Sequence, residues 1–240
     1  MRYLISVSYN GSKFYGFQRL DKKRSVQLEL EKVLSKLNKT VIYVKGAGRT
    51  DRGVHARDQK VHFDLSVDIP ANRLVDAMNS MLSEDIRVNS AEIVSESFHA
   101  RFDVKKKVYT YVINMGEYDP INNDLVYNYN RKLDVKAIKK ASKYLLGINN
   151  YEAFTSGERD SYNSIIYNIK ISKKKDLLYI KFEGKSFYRY MVRNMVGALM
   201  LVGTGKAKPI AIKEMIDSKN NKYNYMTVPA NGLYLDKVMY

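Results

Sequence analysis

The chain has 240 residues, and its 41 Lys and Arg against 25 Asp and Glu give a formal net charge of +16. Apolar residues make up 45% and charged residues 28%, which is typical of one large or two small globular domains and excludes a disordered or fibrous chain. Cysteine is absent, which excludes disulfides, thiolate nucleophiles and iron–sulfur clusters. The three histidines are not spaced as metal ligands, so we expect no metal site.

Strands and helices alternate along the first half of the chain. In chain order, the predicted elements are a strand ending near Tyr9, a helix capped by Ser25, a short strand at 41–45, a long polar loop at 46–59, a strand through 61–65, a helix that Pro70 opens, and a strand at 86–94.

The second half repeats this rhythm without a repeat at the level of residues. Its predicted elements are a strand at 106–114, a loop at 115–130, a helix capped by Asp134, strands at 164–172 and 177–183, an apolar helix at 186–202, a short helix from Pro209 and a strand at 232–238. The longest apolar run, 195–203, is about half of the ~18 residues that a membrane span needs. We therefore predict an α+β fold with mixed or antiparallel sheets flanked by helices.

The excess of positive charge favours a polyanionic partner, above all nucleic acid. The alternative is drift, because the chain is rich in Lys, Asn, Ile and Tyr, as if drawn from an A/T-biased genome. Drift alone does not explain why Arg49, Arg52 and Arg57 fall within one nine-residue stretch.

The segment 46–56, GAGRTDRGVHA, is the strongest candidate for chemistry. Its glycines allow tight turns and a close approach to a ligand, and Asp51 lies between Arg49 and Arg52. Neighbouring cations favour an ionised carboxylate, which is a competent nucleophile. The alternative is that Asp51 only forms a turn with its own backbone.

Five motifs in order resemble those of the tRNA pseudouridine synthase A family (the TruA family). GRTDRGVHA at 48–56 resembles the family's GRTDxGVHA, and YNGS with FYGFQ at 9–12 and 14–18 resembles its YDGTxFxGWQ. The other three are FHARF at 98–102 followed by YTY at 109–111, FYRYMVRN at 187–194, and PANGLYL at 229–235. The resemblance covers nearly the whole chain.

The resemblance implies the isomerisation of uridine to pseudouridine in the anticodon stem-loop of tRNA, at positions 38, 39 and 40, without any cofactor or metal. It implies a pseudouridine synthase-like fold of two similar subdomains, 1–100 with the catalytic loop and 101–240, with the active-site cleft between them. It further implies a cytoplasmic homodimer that binds no membrane.

The resemblance also implies site residues. Asp51 is the nucleophile, attacking either C1′ of the ribose or C6 of the base, and Tyr109 stacks on the target base. Arg193 pairs with the nucleophile, Arg49 positions the nucleotide or a phosphate, and Leu233 packs against the base. From pattern alone, Tyr109 is equally a core aromatic and Arg193 a helix-surface charge.

Two departures from the family pattern affect RNA contacts. Arg52 replaces a small residue after the catalytic Asp, and Ser164 replaces an Arg that many relatives carry. Three lysines at 105–107 would line a basic cleft or simply form a solvated strand end. The alternative functions are a non-catalytic basic RNA-binding protein, a synthase for a different RNA, and a glycosidic hydrolase, which would need a second acid near Asp51.

Overall fold

The computed structural model describes residues 1–220, 223 and 225–240. The chain divides into two compact units, one formed by Met1–Lys105 with Tyr234–Tyr240 and the other by Lys106–Leu233. The division falls at residue 105 rather than 100, and the last residues of the chain return to the first unit. One boundary in the sequence cannot describe these units, because the C-terminal strand pairs with a strand from the first part of the chain.

The regular elements follow the predicted order, with two additional short strands at 127–128, inside the predicted loop, and at 147–150. In chain order they are β1 (Arg2–Tyr9), α1 (Val26–Asn38), β2 (Lys45–Gly46), β3 (His55–Asp64), α2 (Ala71–Asn79), β4 (Ile86–Val94), β5 (Lys106–Asn114), β6 (Tyr127–Asn128), α3 (Val135–Ser142), β7 (Gly147–Asn150), β8 (Asn163–Lys174), β9 (Leu177–Gly184), α4 (Met191–Gly203), α5 (Ala211–Ser218) and β10 (Leu233–Met239).

The first unit contains a mixed sheet with the strand order β4-β1-β3-β10. Strand β1 is antiparallel to β3 and β4, whereas β10 runs parallel to β3. Helix α2 packs against β4. Tyr3, Ile5 and Val7 of β1 are fully buried, but Leu4 and Ser6 are buried as well, so this part of the strand is covered on both faces.

The second unit contains an antiparallel sheet with the order β5-β9-β8-β7, and β6 adds in parallel to β5. Helix α4 is buried almost all round and packs against α3. The α+β class with mixed and antiparallel sheets is confirmed. No helix among the described residues is both long and apolar enough to cross a membrane.

The prediction of a strand at 41–45 is wrong for its first four residues. Ile42 and Val44 are buried, but their N–H groups donate to side chains of α1 rather than to a neighbouring strand. The N–H of Val44 donates to the buried carboxylate of Glu31 (3.1 Å). Ile42 and Val44 are therefore buried as in a strand, but their hydrogen-bond partners are side chains.

Two predicted boundaries also differ. The polar loop predicted to reach residue 59 ends at Val54, because β3 begins at His55 and pairs Ala56 with Tyr9. Helix α4 begins at Met191 instead of 186, because Tyr190 adopts a left-handed conformation (φ 62°) that interrupts a right-handed helix.

The two predicted helix caps have different outcomes. Asp134 caps α3 by accepting a hydrogen bond from the N–H of Ala137 (2.9 Å). Ser25 precedes α1, but its side chain makes no cap bond. The first N–H groups of α1 donate instead to the carbonyls of Gly16 and Phe17 (3.2 and 2.9 Å), so a preceding loop satisfies them.

The fold predicts a loss of stability in mild acid through His62. This side chain of β3 is buried, and its Nδ1 accepts the N–H of Ala100 (3.1 Å). Burial lowers the pKa of His62 to about 4, helped by the charges of His99, Arg2 and Lys45 and opposed by Asp64. Between pH 6.5 and about 4, His62 is protonated in the unfolded chain but stays neutral in the folded chain.

We therefore expect the free energy of unfolding to fall by up to about 3 kcal/mol as the pH drops through this window. Urea unfolding from pH 7.5 to 4 measures the loss. His62→Asn keeps an acceptor but cannot titrate, so its loss should be smaller by that amount. Equal losses in both proteins would contradict the assignment.

Candidate active site

The loop between β2 and β3 carries Asp51 and is held by the main chain at its base. The N–H of Ala47 donates to the carbonyl of Lys60 (2.7 Å), and the side-chain amide of Gln59 donates to the carbonyl of Gly48 (2.9 Å). Because Gln59 is fully buried in β3, this contact fixes the start of the loop to the sheet.

A second segment, 11–17, packs directly against the other side of this loop. The N–H of Phe17 donates to the carbonyl of Thr50 (3.1 Å). Gly16 has a φ of 92°, and a Cβ there would lie 2.8 Å from the Thr50 carbonyl oxygen and 3.3 Å from the carbonyl carbon of Asp51. A Cβ at Gly11 would lie 2.0 Å from the carbonyl oxygen of Val54. Both glycines are therefore required for this contact.

A buried phenol fixes the residue that precedes Asp51. The hydroxyl of Tyr9 lies 2.8 Å from the Oγ1 of Thr50, and both side chains are buried. Burial raises the pKa of Tyr9 to about 12, so the hydroxyl stays protonated and hydrogen-bonded at neutral pH. Tyr9 is the first residue of the YNGS motif at 9–12, but the sequence analysis assigned it no role in the site. Its place in that motif was the only sequence feature that could have indicated one.

Asp51 itself is half-buried, at the start of a turn that Gly53 completes with a φ of 84°. The main-chain carbonyl of Asp51 accepts the N–H of Val54 (3.1 Å). A main-chain group therefore closes this turn. Arg49 and Arg52 are exposed on either side of Asp51.

In the second unit, Tyr109 lies in the middle of β5 opposite Phe182 of β9. It is 8% exposed, and its ring contacts that of Phe187 edge to face at 5.1 Å. Tyr111, two residues further, is fully buried and donates its hydroxyl to the carbonyl of Pro229 (2.6 Å). Tyr109 is thus a buried aromatic residue packed against Phe187.

Arg193 projects from α4 of the second unit. Its Nε donates to the carbonyl of Val228 (2.8 Å), and its guanidinium lies 5.0 Å from the centre of the Tyr190 ring. Burial raises the pKa of Tyr111, and the positive charge of Arg193 opposes that rise. Arg193 is half-buried and held by protein groups, so it is not a helix-surface charge. Leu233, at the start of β10, is 5% exposed.

Two residues considered for RNA contacts, Ser164 and Lys106, have protein partners within the second unit. The hydroxyl of Ser164 is buried and donates to the carbonyl of Ser186 (2.7 Å), so it is used inside the protein. Lys106 forms an ion pair with Glu183 of the neighbouring strand (3.1 Å). No group of three His, Asp or Glu side chains in the described part of the chain could hold a metal ion.

The fold and this loop define an α+β protein with one carboxylate on a rigid, arginine-flanked loop. The profile of a family described as tRNA pseudouridine synthase matches residues 5–103 and 141–240. The tRNA pseudouridine synthase A of Thermosipho melanesiensis is 40% identical over 100% of this chain and 99% of its own length. That of Bacillus subtilis is 37% identical over the same shares of the two chains.

Similarity to solved structures is weaker. A chain described as "Structure of H/ACA RNP bound to a substrate RNA containing 2'-deoxyuridine" is 11% identical, covers 83% of this chain and 53% of its own, and has a TM-score of 0.34. At so low a TM-score, the similarity supports no conclusion about this chain.

A profile match over most of the chain, together with relatives similar over their full length, shows the family. The chain belongs to the tRNA pseudouridine synthase family. It is an isomerase that converts uridine to pseudouridine in tRNA, as the sequence motifs predicted.

Proposed function

We propose that this enzyme modifies uridines of the tRNA anticodon stem-loop, at positions 38, 39 and 40, with Asp51 as the covalent nucleophile. The observation that supports this is the attachment of the Asp51 loop. Thr50 is fixed by the buried hydroxyl of Tyr9 and by the N–H of Phe17, while the turn closes through the main chain. Because the loop is already ordered, the carboxylate can approach a reacting atom without a further loss of loop entropy.

The reaction balances without a cofactor. The N1–C1′ bond of uridine breaks, the base turns over, and a bond forms between C5 and C1′. The proton on C5 leaves to solvent and N1 takes one up, so nothing is oxidised or reduced. Asp51 forms a transient bond to C1′ or C6 and is released at the end.

The remaining site residues have distinct parts in this proposal. Tyr109 stacks on the target base and assists removal of the C5 proton, which suits a ring already packed against Phe187. Arg193 pairs with the nucleophile, Arg49 positions the flipped nucleotide or a phosphate, and Leu233 packs against the base. Extruding a base from a stem requires such an apolar and aromatic wall.

The enzyme is further proposed to be a cytoplasmic homodimer. The formal charge of +16 supports binding to the phosphates of tRNA but does not select the anticodon arm. A solution mass of two chains of 27.8 kDa would support the dimer, and a single-chain mass at micromolar concentration would contradict it.

Tritium release from tRNA labelled at C5 of uridine tests the proposed target. We expect release without added metal or nucleotide, because C5–H must be broken in every turnover. A matched tRNA with cytidines at positions 38, 39 and 40 should release none.

The possible outcomes separate the alternatives. Full release from the cytidine-substituted tRNA would place the target elsewhere. The absence of release from any tRNA, or release that stops with chelator, would contradict the mechanism. A non-catalytic RNA-binding protein cannot exchange this hydrogen.

A further inference from the structure

An exposed tyrosine with two cations lies beside the Asp51 loop. The guanidinium of Arg52 is 4.4 Å from the centre of the Tyr15 ring, and the ammonium of Lys23 is 4.8 Å from it. Tyr15 is 40% exposed. These three residues are called the Tyr15 cluster below.

The backbone brings the cluster together independently of any ligand. The N–H of Tyr15 donates to the carbonyl of Arg24 (2.9 Å), and Leu20 pairs with Lys23, so the turn carries Lys23 back to Tyr15. On the other side, the Cβ position of Gly16 is 3.2 Å from the N of Arg52. The cluster is thus built on the same main-chain contact that holds Asp51.

The two cations of the cluster, Arg52 and Lys23, lack a direct ion-pair partner in the described part of the chain. Two like charges at one ring repel each other, and the electron-rich face of Tyr15 compensates only in part. An anion bound at the cluster would supply the missing counter-charge.

The types of side chain narrow the choice of anion. A guanidinium binds phosphate through paired N–H donors, and an ammonium binds it as a point charge. Half or more of the hydrogen bonds between proteins and nucleic acids go to phosphate and sugar oxygens, so a phosphate is the anion that these two donors favour. Arg52 also stands where the family pattern has a small residue, so this contact is an addition in this chain.

We propose that the Tyr15 cluster binds a backbone phosphate of the substrate RNA next to the target uridine, with Arg52 and Lys23 as donors and Tyr15 holding them in place. The proposal rests on the proposed function for the position of the uridine at Asp51. It assigns Arg52 to affinity and not to the chemical step.

The test is tRNA binding and single-turnover pseudouridine formation by Arg52→Ala, Tyr15→Leu and the control Arg73→Ala. Arg73 is an exposed arginine of α2, and its substitution removes the same charge from the first unit. We expect Arg52→Ala to weaken binding about 10-fold, since a charge-assisted contact to an exposed site is lost. Tyr15→Leu should weaken it about 3-fold, and Arg73→Ala hardly at all.

Two further measurements separate this role from others. The slope of log affinity against log salt should become shallower by about 0.7–0.9 in Arg52→Ala, which corresponds to one phosphate contact. Turnover at saturating tRNA should fall far less than affinity. Wild-type affinity in Arg52→Ala, or a loss of turnover with affinity unchanged, would overturn the proposal.

Failure of this proposal is distinguishable from failure of the proposed function. Binding is also measured in the Asp51→Asn background, where no turnover is required. If the wild type is active and Arg52→Ala binds tRNA with the same affinity, only the role of the cluster is rejected. An inactive wild type whose affinity depends on Arg52 would reject the mechanism at Asp51 alone.

Discussion

Asp51→Asn is expected to abolish pseudouridine formation while folding and tRNA binding persist. Asparagine keeps the size of the side chain, and the turn closes through the main-chain carbonyl of residue 51 to the N–H of Val54. The loop therefore retains its Tyr9, Thr50 and Phe17 contacts. What is lost is the negative charge that makes the carboxylate a nucleophile.

Asp51→Glu is expected to fail as well, although it keeps the charge. One added methylene moves the carboxylate by roughly 1 Å on a loop that cannot shift to compensate, which costs ~10²-fold or more in rate. The pair of variants therefore separates a requirement for charge from a requirement for position.

Single-turnover assays with tRNA binding in parallel measure both effects. Asp68→Asn, an exposed carboxylate in the same unit, is the matched control and should behave like wild type. Binding by Asp51→Asn should be unchanged or slightly tighter, because a negative charge near the phosphates is removed. Near-normal turnover by Asp51→Asn would reject both the mechanism and the assignment of this loop as the active site.

Arg193→Ala is expected to lower turnover by roughly 10²–10³-fold, with much less effect on binding. The proposed partner of Arg193 is the nucleophile, and a loss of this size corresponds to about 3–4 kcal/mol of transition-state stabilisation, since each 1.36 kcal/mol is tenfold in rate. The variant also loses the hydrogen bond from Nε to the carbonyl of Val228. We expect that bond to contribute about 1 kcal/mol to stability, visible as a small fall in Tm.

Two controls isolate the role of this side chain. Arg193→Lys keeps the charge but not the planar donor, so its turnover should lie between those of wild type and Arg193→Ala. Arg189→Ala removes an exposed arginine one turn earlier, just before α4, and should keep wild-type turnover. Equal losses of turnover and binding in Arg193→Ala would assign it to RNA binding instead.

Most of the strands and helices, and their order, followed from the sequence alone, but the short strands β6 and β7 did not. Strands β4 and β5 have the predicted bounds of 86–94 and 106–114, because hydrophobic periodicity is a local property of the chain. The cap of α3 at Asp134 was predictable for the same reason, since its partner is three residues away. The family and its reaction followed from motifs that can be read without knowing any distance.

The tertiary structure decided what depends on partners distant in sequence. Residues 41–44 have the sequence pattern of a strand, but the N–H groups of Ile42 and Val44 bond to side chains of α1. Ser25 makes no cap bond, and the first N–H groups of α1 bond to the carbonyls of Gly16 and Phe17 instead.

Tyr9 contacts Thr50, 41 residues later in the chain, and Tyr15 contacts Arg52, 37 residues later. A local sequence pattern cannot predict contacts between residues so far apart. The sequence by itself predicted which residues carry the chemistry of this enzyme. Only the folded chain determined that a buried tyrosine and a glycine-tight segment hold the Asp51 loop in place, because those contacts form between elements that the chain order keeps apart.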